Sequence, residues 1–232
     1  AAANPPWIPV HRAPRIGILA TGDEIAMPGE PIPSGGIVSS NSHALAALVR
    51  ACGGAPTILP IAKDTTEAIA ATADAIGGLD MLVTTGGASV GDHDLVIAGL
   101  QTRGLEVNFW QIAMRPGKPL LFGRLGAVPV LGLPGNPVSA MVCATLFLVP
   151  ALARLSGLPA APPPVSTALL GAPLKANDHR ADHLRATIRL DEEGRAIATP
   201  FPVQDSAMLR RLAHADALIL RPRRSIRAPK CR

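Results

Sequence analysis

Short apolar runs alternate, over the first two thirds of the chain, with longer stretches whose apolar residues recur every three or four positions. The runs Arg15 to Ala20 (RIGILA) and Met81 to Thr85 (MLVTT) read as strands buried on both faces. Thr57 to Ile61, Glu106 to Ala113, Pro119 to Phe122 and Val128 to Leu133 read as further strands. Leu45, Leu48, Val49 and Cys52 fall at helical spacing, with Ser40 or Asn41 to cap the helix and Gly53-Gly54 to stop it. Alanine-rich sequence predicts a helix from Thr65 to Ile76, where Asp64 and Glu67 have the spacing of a capping pair. Asp94 to Gln101 predicts another, with Leu95, Ala98 and Leu100 partly inward. Asn136-Pro137 caps and starts a long helix to Leu155, with proline in the first turn, where its missing N–H is harmless. Strands alternating with helices, each strand apolar throughout, predict an α/β fold: a three-layer, mostly parallel sheet flanked by helices over residues 13–157.

After Gly157 the texture changes. Pro159 to Pro164 is a proline-rich linker, and shorter alternating segments follow, such as Leu184 to Leu190 and Ala196 to Pro200, with Asp191-Glu192-Glu193-Gly194 as a hairpin turn between them. Residues 163–232 are therefore expected to form a small, mostly β domain.

A length of 232 residues allows one large domain or two small ones with a proper core. The three cysteines, Cys52, Cys143 and Cys231, make no CxxC pair, and the first two lie in apolar helical patterns, so buried free thiols in a reducing cytosol are expected. No signal peptide is evident, and the apolar run Val138 to Ala153 falls short of the roughly 20 residues of a membrane span. A cytoplasmic protein with no membrane contact is the expectation. The net charge of +5 comes largely from Arg210, Arg211, Arg221, Arg223, Arg224, Arg227, Lys230 and Arg232. That basic tail has no interleaved aromatics and the chain has no tyrosine, which argues against nucleic acid and for a solvated surface.

Four polar, glycine-bearing segments punctuate the apolar scaffold. They are Thr21-Gly22-Asp23-Glu24, Gly86-Gly87-Ala88-Ser89-Val90-Gly91-Asp92-His93-Asp94, Arg115-Pro116-Gly117-Lys118-Pro119 and Leu133-Pro134-Gly135-Asn136-Pro137-Val138-Ser139. Three of them follow strand ends, where ligands bind in parallel sheets. Gly86 and Gly91 have the spacing of the outer glycines of a phosphate-binding P-loop, but Asp92 and His93 stand where Lys and Ser/Thr belong, and alanine at position 88 breaks the dinucleotide fingerprint. What remains is a glycine turn whose amides can face an anion, or simply a tight strand-to-helix turn. Asp64 is an N-cap or a hard-cation ligand, Asp92 and Asp94 are first-turn carboxylates favoured by the helix dipole or such ligands, and Glu24 has no helical pattern to cap. Arg115 and Lys118 flank a rigid turn that presents two cations, the first suited to forked oxyanion contacts and the second a point charge. Amides near Asn136 and Ser139 cap a helix or seat an oxyanion. His179 and His183, four apart in a region expected to be β, predict no metal site.

Together these motifs, with Met114 and Ala140 at their edges, closely resemble the molybdopterin molybdenumtransferase family, the bacterial MoeA proteins whose animal counterpart is gephyrin. The resemblance covers Arg15 to Gly157 well and the remainder more loosely. It implies a molybdopterin-binding α/β domain followed by a small β-barrel domain, as the C-terminal part of a longer dimeric polypeptide with two further N-terminal domains. It implies insertion of molybdate into adenylated molybdopterin with release of AMP, dependent on Mg2+. By position, Glu24, Asp64 and Asp94 match the family's functional acids and metal ligands, and Lys118 joins them as a catalytic candidate. Arg115, Lys118 and Ser139 match molybdate and phosphate contacts. Arg180 in the segment Arg180 to Arg185 and Ser206 in Gln204-Asp205-Ser206 are further candidates for that anion site. Thr21, Gly22, Asp23, Asn41, Gly86, Gly87, Ser89, Gly91, Pro116, Gly117 and Asn136 complete the expected substrate contacts. Arg115 stands where many members have lysine. Expected partners are molybdopterin or its adenylate, molybdate, a second copy in the full-length protein, and a molybdopterin adenylyltransferase. Two other functions stay open: adenylyltransferase activity itself, against which the appended β region and the Pro-Gly-Asn-Pro-Val-Ser turn weigh, and a non-catalytic molybdopterin-binding module.

Overall fold

The computed structural model describes residues 6–87 and 94–223. The expectations at Ser89, Gly91, Asp92, His93 and the last basic residues, from Arg224 onward, lie outside the described residues.

The apolar runs become the centre of a six-stranded sheet. Strand β1 (Arg15–Ala20) is buried beyond Arg15, and a small parallel pair, β2 (Ile25–Ala26) and β3 (Ile37–Val38), follows it. Helix α1 (Ser40–Ala51) leads to β4 (Ala55–Ile58), α2 (Thr66–Ala71) with a 3₁₀ turn to Ala75, β5 (Met81–Thr85) and α3 (Leu95–Gln101). Then come β6 (Leu105–Gln111), β7 (Met114–Arg115), β8 (Pro119–Leu125), β9 (Val128–Leu133), α4 (Pro137–Cys143) and α5 (Val149–Leu155). The strand order is β4-β1-β5-β9-β8-β6, parallel from β4 through β9. Only β8 is reversed against its neighbours. The cause is local: Leu125 pairs with Val128, so Gly126-Ala127 is a two-residue hairpin turn, which antiparallel strands permit and parallel ones do not.

Alternation along the strands sorts the core into two layers. Ile16, Ile18, Met81, Val83, Leu131 and Leu133 face one way, onto Leu45 and Val49 of α1 and Ala140, Cys143, Leu148 and Leu152 of the α4–α5 region. Leu19, Leu82 and Val130 face the other, onto Ile69 of α2 and Val96 and Leu100 of α3. Each such side chain contributes about 1.5–3 kcal/mol by leaving water. The α4–α5 region is helical from Pro137 to Leu155, 19 residues, and so is longer than its apolar run suggests. Its buried face packs on the sheet, as a core helix does. Pro150 cannot donate to the carbonyl four residues back, and the turn before it, Ala144–Leu148, opens into π-helical geometry.

Several local expectations change. Thr65, not Asp64, caps α2: its Oγ1 accepts from the amide of Ala68. Ser39 precedes α1, so Ser40 and Asn41 lie inside the helix, and neither Ser39 nor Asn136 makes a side-chain cap bond. In α3, Ala98 faces outward while Val96, Gly99 and Leu100 are buried.

The second body is a sheet ordered β10-β12-β11-β13, formed by β10 (Leu169–Leu170), β11 (Ala181–Leu190), β12 (Ala196–Pro200) and, after the short helix α6 (Leu209–Ala213), β13 (Ala217–Arg221). Its pairings run as an open path rather than a closed barrel among the described residues. The Asp191 to Gly194 turn joins β11 and β12, closed by the Asp191 amide donating to the Arg195 carbonyl at 3.0 Å. Strand β7 belongs to this second sheet, pairing in parallel with β11 at Ala181 and Asp182. The segment carrying the basic turn is thereby shared between the two bodies.

Replacing Leu82, fully buried on β5, with alanine is expected to lower unfolding free energy by about 2–5 kcal/mol. Urea denaturation followed by far-UV circular dichroism checks this.

Candidate functional site

Because β4, β1, β5 and β9 lie side by side and parallel, the segments leaving their carboxyl ends meet along one edge of the sheet. The chain steps from β1 outward to β4 and then back across to β5, so the crevice between β1 and β5 is a topological switch point. Thr21 to Glu24 leave β1, Asp64 follows β4, Gly86 and Gly87 leave β5, and Gly135 to Ser139 leave β9. Thr21 is 1% exposed and its amide donates to the Thr85 carbonyl at 3.2 Å. Gly86 and Gly87 have φ of +94° and +63°, and close approach to Thr21 requires them. A methyl on Gly86 would lie 2.4 Å from the Thr21 carbonyl oxygen, and one on Gly87 2.6 Å from its Oγ1. Asn41, on α1, ties two of the loops together: its Nδ2 donates to Thr85 Oγ1 at 2.9 Å and to the Gly135 carbonyl at 2.7 Å.

The acidic segment folds back on itself, with the Glu24 carboxylate over Gly22, where a Cβ would be 2.7 Å from Oε2. The amide of Asp64 donates to Asp23 Oδ1 at 3.3 Å. Relieved of capping by Thr65, Asp64 keeps a buried Oδ1 without a partner. Burial first, then the charges of Glu24 and Asp23, raise its carboxyl above the ordinary aspartate range. Asp94 does act as an N-cap, its Oδ1 accepting from Val96 and Ile97 at 3.0 and 3.1 Å, and burial raises its carboxyl as well. Among the described residues, no group of three acidic, histidine or cysteine side chains converges as a metal would require, so Glu24, Asp64 and Asp94 are not assembled into one cage.

The basic segment belongs to a neighbouring cleft of about 440 Å³ between the two bodies. Lys118 and Ser139 enter it from the first body, and Arg180, His183, Arg185 and Ser206 from the second; Met114 to Gly117 line its floor. Ser139 is 5% and Arg185 2% exposed. Arg185 Nη2 donates to the Asp205 carbonyl at 3.0 Å, while Gln204 pins the same residue's backbone through both its amide and its carbonyl. Burial pushes the Arg185 guanidinium and the His183 imidazole down, disfavouring charge in both. The Ser206 carbonyl accepts from the Val138 amide at 3.0 Å, so one amide at the start of α4 is occupied and unavailable to an anion.

Arg115 departs from expectation. Its Nε and Nη2 fork onto Asp182 at 2.8 and 3.1 Å, and its Nη1 reaches Asp178 at 3.3 Å. Each of its three nitrogens thus has an acidic partner, which leaves two of the five guanidinium N–H donors on a side chain that still lines the cleft. Arg180 also contacts Asp178, at 3.5 Å. The residue that sequence reasoning passed over is Arg185: it lies in the quoted strand segment, but only burial distinguishes it from Arg180.

Six buried side-chain polar atoms among the described residues lack any hydrogen-bond partner: Thr21 Oγ1, Asn41 Oδ1, Asp64 Oδ1, Arg180 Nε, His183 Nδ1 and Arg185 Nε. All belong to the crevice or the cleft. Folded proteins rarely strand such atoms without a ligand, ion or water to meet them.

A family model described as a probable molybdopterin binding domain matches residues 17–154, and one described as the MoeA C-terminal region (domain IV) matches residues 167–228. A molybdopterin molybdenumtransferase of Nostoc sp. is 40% identical over 162 residues, covering 68% of this chain and 37% of that protein. Molybdopterin molybdenumtransferase 2 of Mycobacterium tuberculosis is 35% identical over 218 residues, covering 91% of this chain and 53% of its own length. The crystal structure of a molybdopterin biosynthesis MoeA protein from Pyrococcus horikoshii superposes with a TM-score of 0.76 at 30% identity, covering 90% of this chain and 50% of that one. The chain thus spans about half the length, or less, of these relatives.

Asp64→Asn is expected to stabilise the metal-free protein at pH 7 by about 0.5–2 kcal/mol, because it removes an unpaired carboxylate from among like charges. A carboxyl raised in the folded state binds more protons there than in the unfolded chain, so stability falls as pH climbs from about 4 through the raised value. The variant should flatten that fall, as thermal melts across pH 4–8 will show.

Proposed function

The chain belongs to the MoeA family of molybdopterin molybdenumtransferases, carrying its molybdopterin-binding domain and its domain IV, and we propose that it performs the molybdate-insertion step of molybdenum cofactor biosynthesis. In this reading adenylated molybdopterin lies across the β1/β5 crevice and molybdate occupies the adjoining cleft, with AMP and molybdenum cofactor as products. The observation that carries it is the cleft itself: Lys118 and Ser139 face Arg185 and Ser206 across the boundary between the bodies, and two of its arginines have stranded Nε–H donors. A tetrahedral dianion answers such convergent donors. Because Arg185 and Ser206 come from the second body, the adenylyltransferase alternative leaves the cleft unexplained.

The acids suit a hard cation. Mg2+ is commonly held by one or two carboxylates together with substrate phosphates and water, which fits Glu24 and the unpartnered Asp64 Oδ1 without a three-residue cage. Bound there, Mg2+ would neutralise the pyrophosphate of the adenylated pterin. Asp94, with one oxygen capping α3, serves in this proposal to position that phosphate. The amides of Gly86 and Gly87 and the Thr21 hydroxyl line the crevice for the same group, with Ser89 and Gly91 continuing the turn in sequence. The dimer, the handover from an adenylyltransferase and a cytoplasmic site of action belong to this proposal and rest on the family resemblance.

Lys118→Ala is expected to weaken molybdate binding at least about tenfold, the effect of losing one charge-assisted hydrogen bond. Isothermal titration of the chain with molybdate measures it, and unchanged affinity would remove Lys118 from the site. In the full-length enzyme, molybdate-dependent AMP release should fall in parallel.

A further inference from the structure

Asp182 is an acid in the wrong place for an anion site. It lies on β11 three residues before Arg185, it is 1% exposed, and the cleft beside it is built to attract negative charge. Burying a carboxylate costs several kcal/mol unless close partners compensate. Here the partners come from both bodies: Arg115 forks onto it, and Arg221 of β13 reaches it with Nη1 at 3.3 Å. We propose that Asp182 is a positioning residue that, by gripping Arg115, sets where Lys118 stands opposite Arg185. The proposal rests on the anion reading of the cleft given above.

The linkage can be followed atom by atom. Arg115 begins the turn that Lys118 ends, and the Ile112 amide closes that turn on the Lys118 carbonyl at 3.0 Å. The Ala181 amide donates to the Ala113 carbonyl at 2.8 Å, and Arg115 pairs in register with Asp182. On its other side the turn rests on α4, the helix that carries Ser139: a methyl on Gly117 would lie 2.3 Å from Cys143 Sγ. Helix and strand thus hold the turn between them, and on the strand side the backbone pairing is joined by a side-chain grip in which Asp182 takes two of the three Arg115 contacts. The same geometry accounts for arginine at position 115. A guanidinium meets both carboxylate oxygens and still reaches Asp178, whereas an ammonium meets them as a point charge.

Electrostatics and positioning predict opposite signs. Removing a negative charge beside the cleft would by itself tighten anion binding; losing the grip on Arg115 would weaken it. The test is titration of wild type, Asp182→Asn, Arg115→Lys and the double variant with molybdate and with inorganic phosphate, at a temperature where each is folded. We expect each single variant to weaken binding by about tenfold, as when residues that orient a ligating group are changed. The double variant should lose no more than the worse single one, because both break the same contact. Amide hydrogen exchange of Ile112 and Ala181 should speed up in Asp182→Asn while that of Leu82 on β5 does not. Equal or tighter anion binding by Asp182→Asn, additive losses, or unchanged exchange at Ile112 and Ala181 would each overturn the proposal. If Asp182→Asn does not fold, Arg115→Lys, which keeps the net charge, decides it by the same measurements. Wild-type binding of phosphate but not molybdate would sink the molybdate reading and leave the positioning role to be judged on phosphate, and binding of neither sinks both.

Discussion

The crevice of the candidate site depends on strands that end at the same level. Ala20, Thr85 and Leu133 close adjacent parallel strands, so the segments that follow them have nowhere to go but across one another. Thr21 fills the space that side chains at positions 86 and 87 would need, and the two residues there are glycines with positive φ. Asn41 then fastens the end of β5 to the turn after β9. The atoms this packing leaves unpaired there, Thr21 Oγ1, Asn41 Oδ1 and Asp64 Oδ1, are all buried.

The cleft has a different origin. It is a seam, with one wall from the α/β sheet and its helices and the other from a strand of the second sheet, and strand β7 crosses between them. A pocket on a seam has its dimensions set by whatever closes the seam, and here that is backbone pairing together with an ion cluster centred on the buried Asp182, whose directional contacts fix angles that apolar packing would leave free. An anion site assembled from two bodies needs such a device, because its donors must converge to within fractions of an ångström.

The alternation of apolar runs with helical spacing made the three layers legible, since burial on both faces leaves a strand no polar positions to confuse the pattern. The exceptions have particular causes. The reversal of β8 is decided by two residues, Gly126 and Ala127, in a run that otherwise looks like its parallel neighbours. Asp64 and Thr65 are both good caps, and nothing local shows that Thr65 takes the role while the Asp64 amide turns to Asp23, 41 positions away along the chain. The four segments announced the site because each joins glycine or proline to charged or polar residues, and three of them do so directly after an apolar strand run. The pairing of Arg115 with Asp182 had no such signal: the partners are 67 positions apart, and nothing local marks one arginine as engaged and Arg185 as aimed into the cleft.

The bond from the Val138 amide to the Ser206 carbonyl also bears on how the protein is made. Synthesis proceeds from the N-terminus, so the α/β layers are made before the turn between β12 and α6 that delivers Ser206. Until it arrives, the first turn of the core's longest helical stretch has only water for that amide. A later part of the chain therefore finishes an element begun some seventy residues earlier, and the order of the two bodies in sequence sets the order in which the cleft can exist.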